Sequence, residues 1–432
     1  MRIIEEVRPA ESARESTAYG WYSVGLLAFA MAFSLVDRFA LSLLFQPIKL
    51  DLGLSDTQLG LLHGIAFGLF YAFMGVPLGY AVDKFSRKWI ICWGVVLWSA
   101  ATVLCGTARS YVQLLGARIG VGVGEAALSP AGYSMIADTV PRQHLAKAIS
   151  VFQMGSVLGG GLALAMGGKL YMAAQGWDLS SYPLLAGLAP WRITFILLAA
   201  PGLVIAVMVA LMREPKRASA TTRETTGVLR FMAADKALWV WFFLGNACLV
   251  SINYANLTWT PTLLIRQYGW TAGEAGWRMG LAMMVVAPAG VMLGGWLADR
   301  WRVRQGTLGF VRVLQLCPLL AVPCVLAMQS SSSAYFVLCA IIAVQFVMSL
   351  VVGVGPALVQ VLVPPSLRGR VSALYVLAVN LVGLGVGPVV VGSLSDHLFE
   401  PATAIARAVG AYSIAMLIIA LFCVAALRKR IR

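Results

Sequence analysis

Four ionisable residues stand in otherwise apolar surroundings: the adjacent pair Asp37 and Arg38, and the pair Arg118 and Glu125. Arg118 and Glu125 are seven apart, two turns of a helix, so both project from one face. A carboxylate taken out of water favours its protonated form, and a neighbouring arginine opposes that shift while keeping its own charge. An arginine that moves between two carboxylates therefore trades a proton between them. One unit of charge is enough to bias a protein with two alternative packings. Static ion pairs that clamp helices together are the structural alternative. On the chemical reading Asp37, Arg118 and Glu125 are proton-coupling residues. Arg38 is either their structural partner or the binder of an anionic headgroup.

The elements that must position these residues are themselves apolar. Of 432 residues, 60% are hydrophobic and 12% charged, whereas a soluble domain carries about 25% charged residues. Lipid must then face much of the surface. Apolar runs occur at 20–45, 58–82, 89–108, 111–139, 145–171 and 191–212, and again at 238–265, 274–298, 308–328, 334–363, 371–394 and 403–427. Each is long enough to cross roughly 30 Å of hydrocarbon as a helix. The short alternating segments of a barrel are absent, and only helices satisfy their own backbone against lipid. The expected fold is an all-α membrane protein of twelve transmembrane helices in two six-helix bundles, residues 1–212 and 238–432, joined by a cytoplasmic linker at 213–237. That linker contains Arg213, Lys216, Arg217, Arg223, Arg230 and Lys236 and reads as flexible, with room for a short surface helix at its end. The run after the polar first 18 residues is too long for a signal-peptide core, so the first span is expected to stay in the membrane.

The net charge of +15 does not point to nucleic acid. Lysine and arginine concentrate in the connections on the side of the N-terminus, which by the positive-inside rule places both termini in the cytoplasm. The seven cysteines, at 92, 105, 248, 317, 324, 339 and 423, lie in apolar runs without ligand spacing and read as small buried hydrophobes. No metal or cofactor is expected. With no soluble domain and no nucleophile–base set, neither an enzyme nor an ATP-driven pump is expected. Gly116, Gly120, Gly122 and Gly124 lack the Lys-Ser/Thr ending of a phosphate loop; Gly120 with Gly124, like Gly159-Gly160-Gly161, suits close helix packing.

A weak internal repeat sets Gly79 and Asp83-Lys84 with Arg87 after the second span against Gly295 and Asp299-Arg300 after the eighth. A carboxylate flanked by cations after a membrane helix suits a latch to a neighbour, and the two glycines would admit that neighbour closely. Asp83, Lys84, Arg87, Asp299 and Arg300 are thus candidate gating residues. The second half offers uncharged polar groups instead: Asn246, Asn253 and Tyr254 in the seventh span, Gln345 and Gln360 in the tenth, Asn380 in the eleventh. Asn246 and Asn253 share a helix face. These groups either line a cavity, as substrate-binding residues beside Arg38, or bond helix to helix. His63 reads as a hydrogen-bonding residue. Proton chemistry in one bundle and amides in the other suit an amphipathic substrate straddling both.

Several motifs carry a resemblance: Asp37-Arg38 followed by Gln46-Pro47-Ile48-Lys49, the segment Leu52-Gly53-Leu54-Ser55-Asp56-Thr57-Gln58-Leu59-Gly60, and the run from Arg118 through Gly124-Glu125 to Ser129-Pro130. With them the chain resembles the major facilitator superfamily over its whole length. More narrowly it is similar to the bacterial spinster-like transporters, relatives of lysophospholipid and sphingosine-1-phosphate carriers. The resemblance implies roles in proton coupling and gating for Asp37, Arg118 and Glu125, and a cavity between two bundles with a lateral opening for lipid. It makes protons, a lysophospholipid or other amphipathic molecule, and bilayer lipid the expected partners of a chain working as a monomer. Proton-linked transport of small organic anions or drugs is the alternative. Ser86, where the superfamily loop commonly has glycine, is a mild departure.

Overall fold

Peptide groups in hydrocarbon have no water to bond, so a chain this apolar closes its hydrogen bonds within helices. The computed structural model describes residues 12–141, 144–177, 187–215, 227–330, 332–364, 367–401 and 403–431, and every regular element among them is a helix. Lys216, Arg217 and Arg223 lie outside the described residues. A long α1 (Ser12–Leu43) precedes two short helices, α2 (Phe45–Leu52) and α3 (Asp56–His63). Then come α4 (Ile65–Lys84), α5 (Arg87–Thr107), α6 (Tyr111–Glu125), α7 (Leu128–Thr139), α8 (Leu145–Gly176) and α9 (Pro190–Ala210). The short α10 (Val228–Ala234) stands at the end of the linker, where the sequence left room for one. It leads into α11 (Lys236–Tyr268), α12 (Ala272–Gln305), α13 (Leu308–Gln329), α14 (Ala334–Val352), α15 (Val354–Leu362), α16 (Arg368–His397) and α17 (Ala404–Ile431).

Among the described residues, 11 helical stretches are long and apolar enough to cross a membrane. The run at 111–139, expected as one more, differs. It is divided into α6 of 15 residues and α7 of 12, with Ala126 and Ala127 between them, and it carries Arg118, Glu125 and Asp138. The start of α3 is fixed locally. Ser55 accepts from the Gln58 amide while the Gln58 side chain accepts from the Ser55 amide, a reciprocal cap. Gly53, at φ 63°, closes α2 in the left-handed region that favours glycine.

Glycines set the tightest helix contacts. On α8, Gly155 and Gly159 face α1, where a Cβ on Gly159 would lie 2.7 Å from the Ala32 carbonyl oxygen; Gly161 faces α12, where a Cβ would lie 2.7 Å from the Gly280 carbonyl oxygen. On α6, Gly124 abuts the Gly94 carbonyl of α5 and Gly120 abuts Ala101, as their four-residue spacing predicts. Gly79 and Gly295 behave otherwise: a Cβ on either would meet nothing within 4 Å. Their expected role in admitting a neighbour is therefore corrected, because both sit on helix faces open at that level. Gly155→Leu is expected to lower the thermal midpoint in detergent, since overpacking against the Ala28 carbonyl costs about 1–3 kcal/mol. An unchanged midpoint would mean that α1 and α8 separate freely.

One apolar core runs through the helices before residue 213 and continues into α11, α12, α13, α14, α16 and α17, while a second is built wholly from residues after 227. The cysteines are free, and five are buried. Cys339, expected buried, is exposed on α14; an apolar run in a membrane need not turn every position inward.

Candidate functional site

Helix α1 contributes Ser34, Asp37 and Arg38 to a buried centre, and α6 contributes Arg118 and Glu125. One Glu125 carboxylate oxygen, Oε2, accepts from Arg38 Nη2 at 2.6 Å and from the Ser34 hydroxyl at 3.1 Å. Arg118 Nη1 donates to the Asp37 backbone carbonyl at 3.3 Å. The two helices meet across a polar centre, as the sequence predicts, but the partners are crossed. Arg38 holds Glu125, and Arg118 reaches the Asp37 main chain. Glu125 Oε1, Arg38 Nε and two Arg118 nitrogens have no hydrogen-bond partner among the described residues. The centre thus keeps donors and an acceptor in reserve, and α6 ends at Glu125, beside the break before α7.

Phe67 of α4 is shared by both cations. The Arg38 guanidinium carbon lies 4.3 Å from its ring centroid and that of Arg118 lies 5.6 Å away. Tyr71 stacks on Phe67 at 5.6 Å and also faces Arg38 at 5.2 Å. An aromatic face is worth about 0.5–2 kcal/mol to a cation, more when desolvated, so Phe67 steadies two like charges that repel each other. Phe67→Leu is expected to weaken transport several-fold and Phe67→Tyr to retain most of it; equal loss in both would refer the effect to packing. His63 is completely buried between Phe39 and Phe45, at 5.4 and 6.1 Å between centroids. Neither of its ring nitrogens has a hydrogen-bond partner among the described residues. The expected hydrogen-bonding role is corrected: ring packing, not a polar partner, holds this histidine.

Beside the charged centre opens a cavity of about 360 Å³. Arg38, Phe39 and Tyr71 form one wall, with Asn253, Tyr254, Gln345 and Asn380 opposite. Gln345 donates to Asn253 at 2.5 Å, Tyr254 donates to Asn380 at 3.4 Å, and the Phe39 and Tyr254 rings stack at 6.1 Å. Met31, Leu35, Leu257, Met283 and Val379 make other parts of the wall apolar. Asn246 does not reach it. Its amide donates to the Phe242 carbonyl at 2.9 Å and accepts from Tyr375 at 3.4 Å, and Tyr375, itself on the wall, covers it. The shared face of Asn246 and Asn253 is real; the cavity ends before it reaches both. Gln360 bonds Ser372 at 3.1 Å, likewise away from the wall.

The two repeated segments are not built alike. Arg87 is buried and joins Asp138, the Glu214 carboxylate at 3.0 Å and the Pro215 carbonyl at 2.6 Å, tying α5 to α7 and to the segment after α9. Burial pushes the Glu214 carboxyl up, but the Ser86 hydroxyl, the Lys88 and Arg87 amides and the Arg87 side chain outweigh it and hold it below the ordinary glutamate range. Its hold on Arg87 is therefore complete above that range and is lost only as pH falls through the lowered value. Asp83 and Lys84 are exposed at the end of α4. In the second copy Asp299 and Arg300 are exposed; Asp299 pairs with Arg302 of its own helix at 3.7 Å, and Arg300 lies over Trp296 at 5.4 Å. The expected bridge from Asp299 to a neighbouring helix is corrected, because α12 runs on to Gln305 and brings Arg302 within reach first.

A second polar cluster, where α2 and α3 meet α11 and α16, escaped the sequence reading except for its motif residues Gln46, Lys49, Asp56 and Thr57. Arg266 of α11 donates to both Asp56 oxygens at 2.7 and 2.8 Å and to Gln46 at 2.5 Å. Lys49 and Ser395 also bond Asp56, at 2.7 and 2.9 Å. Asp396 of α16 accepts from the Asp56 and Thr57 amides at 3.0 and 2.7 Å and from the Thr57 hydroxyl at 2.7 Å. Unlike charges at the same ends of spans from opposite sides of the linker were the available signal. No cluster that could hold a metal occurs among the described residues.

This arrangement has relatives. An MFS-type efflux pump of Mycolicibacterium smegmatis is 30% identical over 423 residues, covering 95% of this chain and 93% of the pump. Protein spinster of Drosophila melanogaster is 23% identical, covering 88% of this chain and 62% of that protein. The crystal structure of a bacterial homolog to the human lysosomal transporter Spinster, inward-facing and unoccupied, superimposes with a TM-score of 0.82 at 27% identity, covering 95% of this chain and 96% of that one. The family model of the Major Facilitator Superfamily matches residues 27–388. The chain is a multi-pass membrane transporter and belongs to the Major Facilitator Superfamily.

Proposed function

We propose that the chain is a proton-coupled secondary transporter of a lysophospholipid or similar amphipathic lipid, working by alternating access of two six-helix bundles. Residues 1–212 and 238–432 form the bundles, the divided helices α6 and α7 together make the twelfth pass, and both termini with the 213–237 linker lie on the cytoplasmic side of a bacterial inner membrane. One observation carries the reading: Arg38 stands on the cavity wall and at the same time holds Glu125. A single cation thus serves two anions. While Glu125 is ionised it occupies Arg38; once protonated it releases the guanidinium to an anionic headgroup in the cavity. Asp37, Arg118 and Glu125 are the proton-coupling set. The apolar wall formed by residues such as Leu35, Leu257 and Met283 takes the tail, and Asn253, Tyr254 and Asn380 take the polar part. Asp83, Lys84, Arg87, Asp299 and Arg300 act at the cytoplasmic gate.

A second reading, transport of a small organic anion or drug, is supported by the efflux-pump relative and by the D-galactonate transporter of Escherichia coli, 26% identical over 414 residues. Proteoliposomes separate the two. Lysophosphatidylglycerol and lysophosphatidylethanolamine movement is expected to accelerate when a pH gradient is imposed. Movement indifferent to the gradient across such a panel would sink the lipid reading, and saturable uptake of an organic anion unaffected by lysolipid would install the second.

A further inference from the structure

The polar cluster around Asp56 is densely bonded, and it joins parts of the chain from opposite sides of the linker. Two links run in opposite directions. From the first part, the Asp56 carboxylate reaches out and is gripped by Arg266 through two parallel bonds and by Ser395. From the second part, the Asp396 carboxylate reaches back and accepts the first two amides of α3 together with the Thr57 hydroxyl. The second link is a helix cap supplied by another segment of the fold, at the helix end where a negative charge is favoured.

Below the links the two parts meet without side chains between them. A Cβ on Gly60 would lie 2.5 Å from the Pro388 carbonyl oxygen, and one on Gly64 would lie 2.6 Å from that of Gly385. The seam between α3 and α16 is therefore shut at backbone contact. At its other end α3 carries His63, whose ring lies 5.4 Å from that of Phe39, the residue next to Arg38 in α1. One short helix thus runs from this cluster to the central charges.

We infer that Asp56, Arg266 and Asp396 form the gate that closes the end of the transporter opposite the linker, and that α3 connects this gate to the central charge cluster. The inference rests on the alternating-access reading above. It adds residues that neither the proton-coupling set nor the repeated linker-side segments include. Opening this end requires Asp56 to leave Arg266 and Asp396 to leave the start of α3 in the same movement, because both links cross one seam. Either link alone holds the seam less tightly than the two together.

The test is a distance measured across the gate with no substrate and no pH gradient. Leu50 and Leu398 are 75% and 67% exposed near this end and accept cysteines for spin labels, in a chain whose seven native cysteines have been replaced. In lipid nanodiscs the parent is expected to give mainly a short separation. Asp396→Asn, which removes charge with little change of shape, and Arg266→Met are each expected to raise the ratio of long to short separations by about tenfold, equivalent to about 1.4 kcal/mol. The double variant should raise it further. Unaltered distance distributions in Asp396→Asn and Arg266→Met would overturn the inference, as would loss of transport in these variants with the distance unchanged. If Arg266→Met does not fold, Asp396→Asn alone decides. The proton and lipid reading is tested separately by Glu125→Gln in proteoliposomes, so either can fail while the other stands.

Discussion

Glu125→Gln is expected to remove the stimulation of transport by a pH gradient while exchange of substrate without a gradient persists. The glutamine keeps the size of the glutamate and one acceptor oxygen for Ser34 and Arg38, but it has no proton to give or take. Arg38, released from its ionic partner, then stays available to the cavity in every state. Coupling should fall by at least about tenfold, the factor that corresponds to about 1.4 kcal/mol of differential interaction. Glu125→Asp should restore part of it, because the carboxylate returns one methylene short. Gradient-stimulated transport at the parent rate in Glu125→Gln would remove this residue from the proton-coupling set.

The largest loss of stability at the centre is expected for Arg118→Leu. This guanidinium is buried in one centre with Asp37 and Glu125, donates to the Asp37 main-chain carbonyl and rests against Phe67. Taking it away leaves buried negative charge uncompensated, which costs about 3–5 kcal/mol. The thermal midpoint should drop clearly and transport should stop. Asp37→Asn in the same chain should recover much of the stability without recovering coupling, since it removes the orphaned charge and also the titratable group. Additive effects of the two substitutions would show that the residues do not interact. A double variant that transports like the parent would show that neither is needed.

The spans were legible in the sequence because apolar length is a one-dimensional property. The involvement of Asp37, Arg38, Arg118 and Glu125 in one centre was legible too, because charge in hydrocarbon must find charge. Their pairing was not. Seven-residue spacing put Arg118 and Glu125 on one face, yet the partner of Glu125 is Arg38, 87 positions away, and no spacing rule reaches that far. The break between α6 and α7 had a local signal in Pro130, which has no N–H to give the Ala126 carbonyl; Ala126 and Ala127 themselves keep right-handed helical dihedrals. Arg266 and Asp56 are 210 positions apart, and each alone reads as an ordinary charge at a span end.

The glycines of α8 have a mechanical consequence. Gly155 and Gly159 bring this helix onto α1 at the level of the main chain, and Gly161 brings its opposite face onto α12 in the same way. Bulky interlocking side chains would have to climb out of their sockets before such surfaces could shift, whereas smooth backbone tracks slide by small shear. Helix α8 is therefore placed to serve as a bearing between α1 and α12.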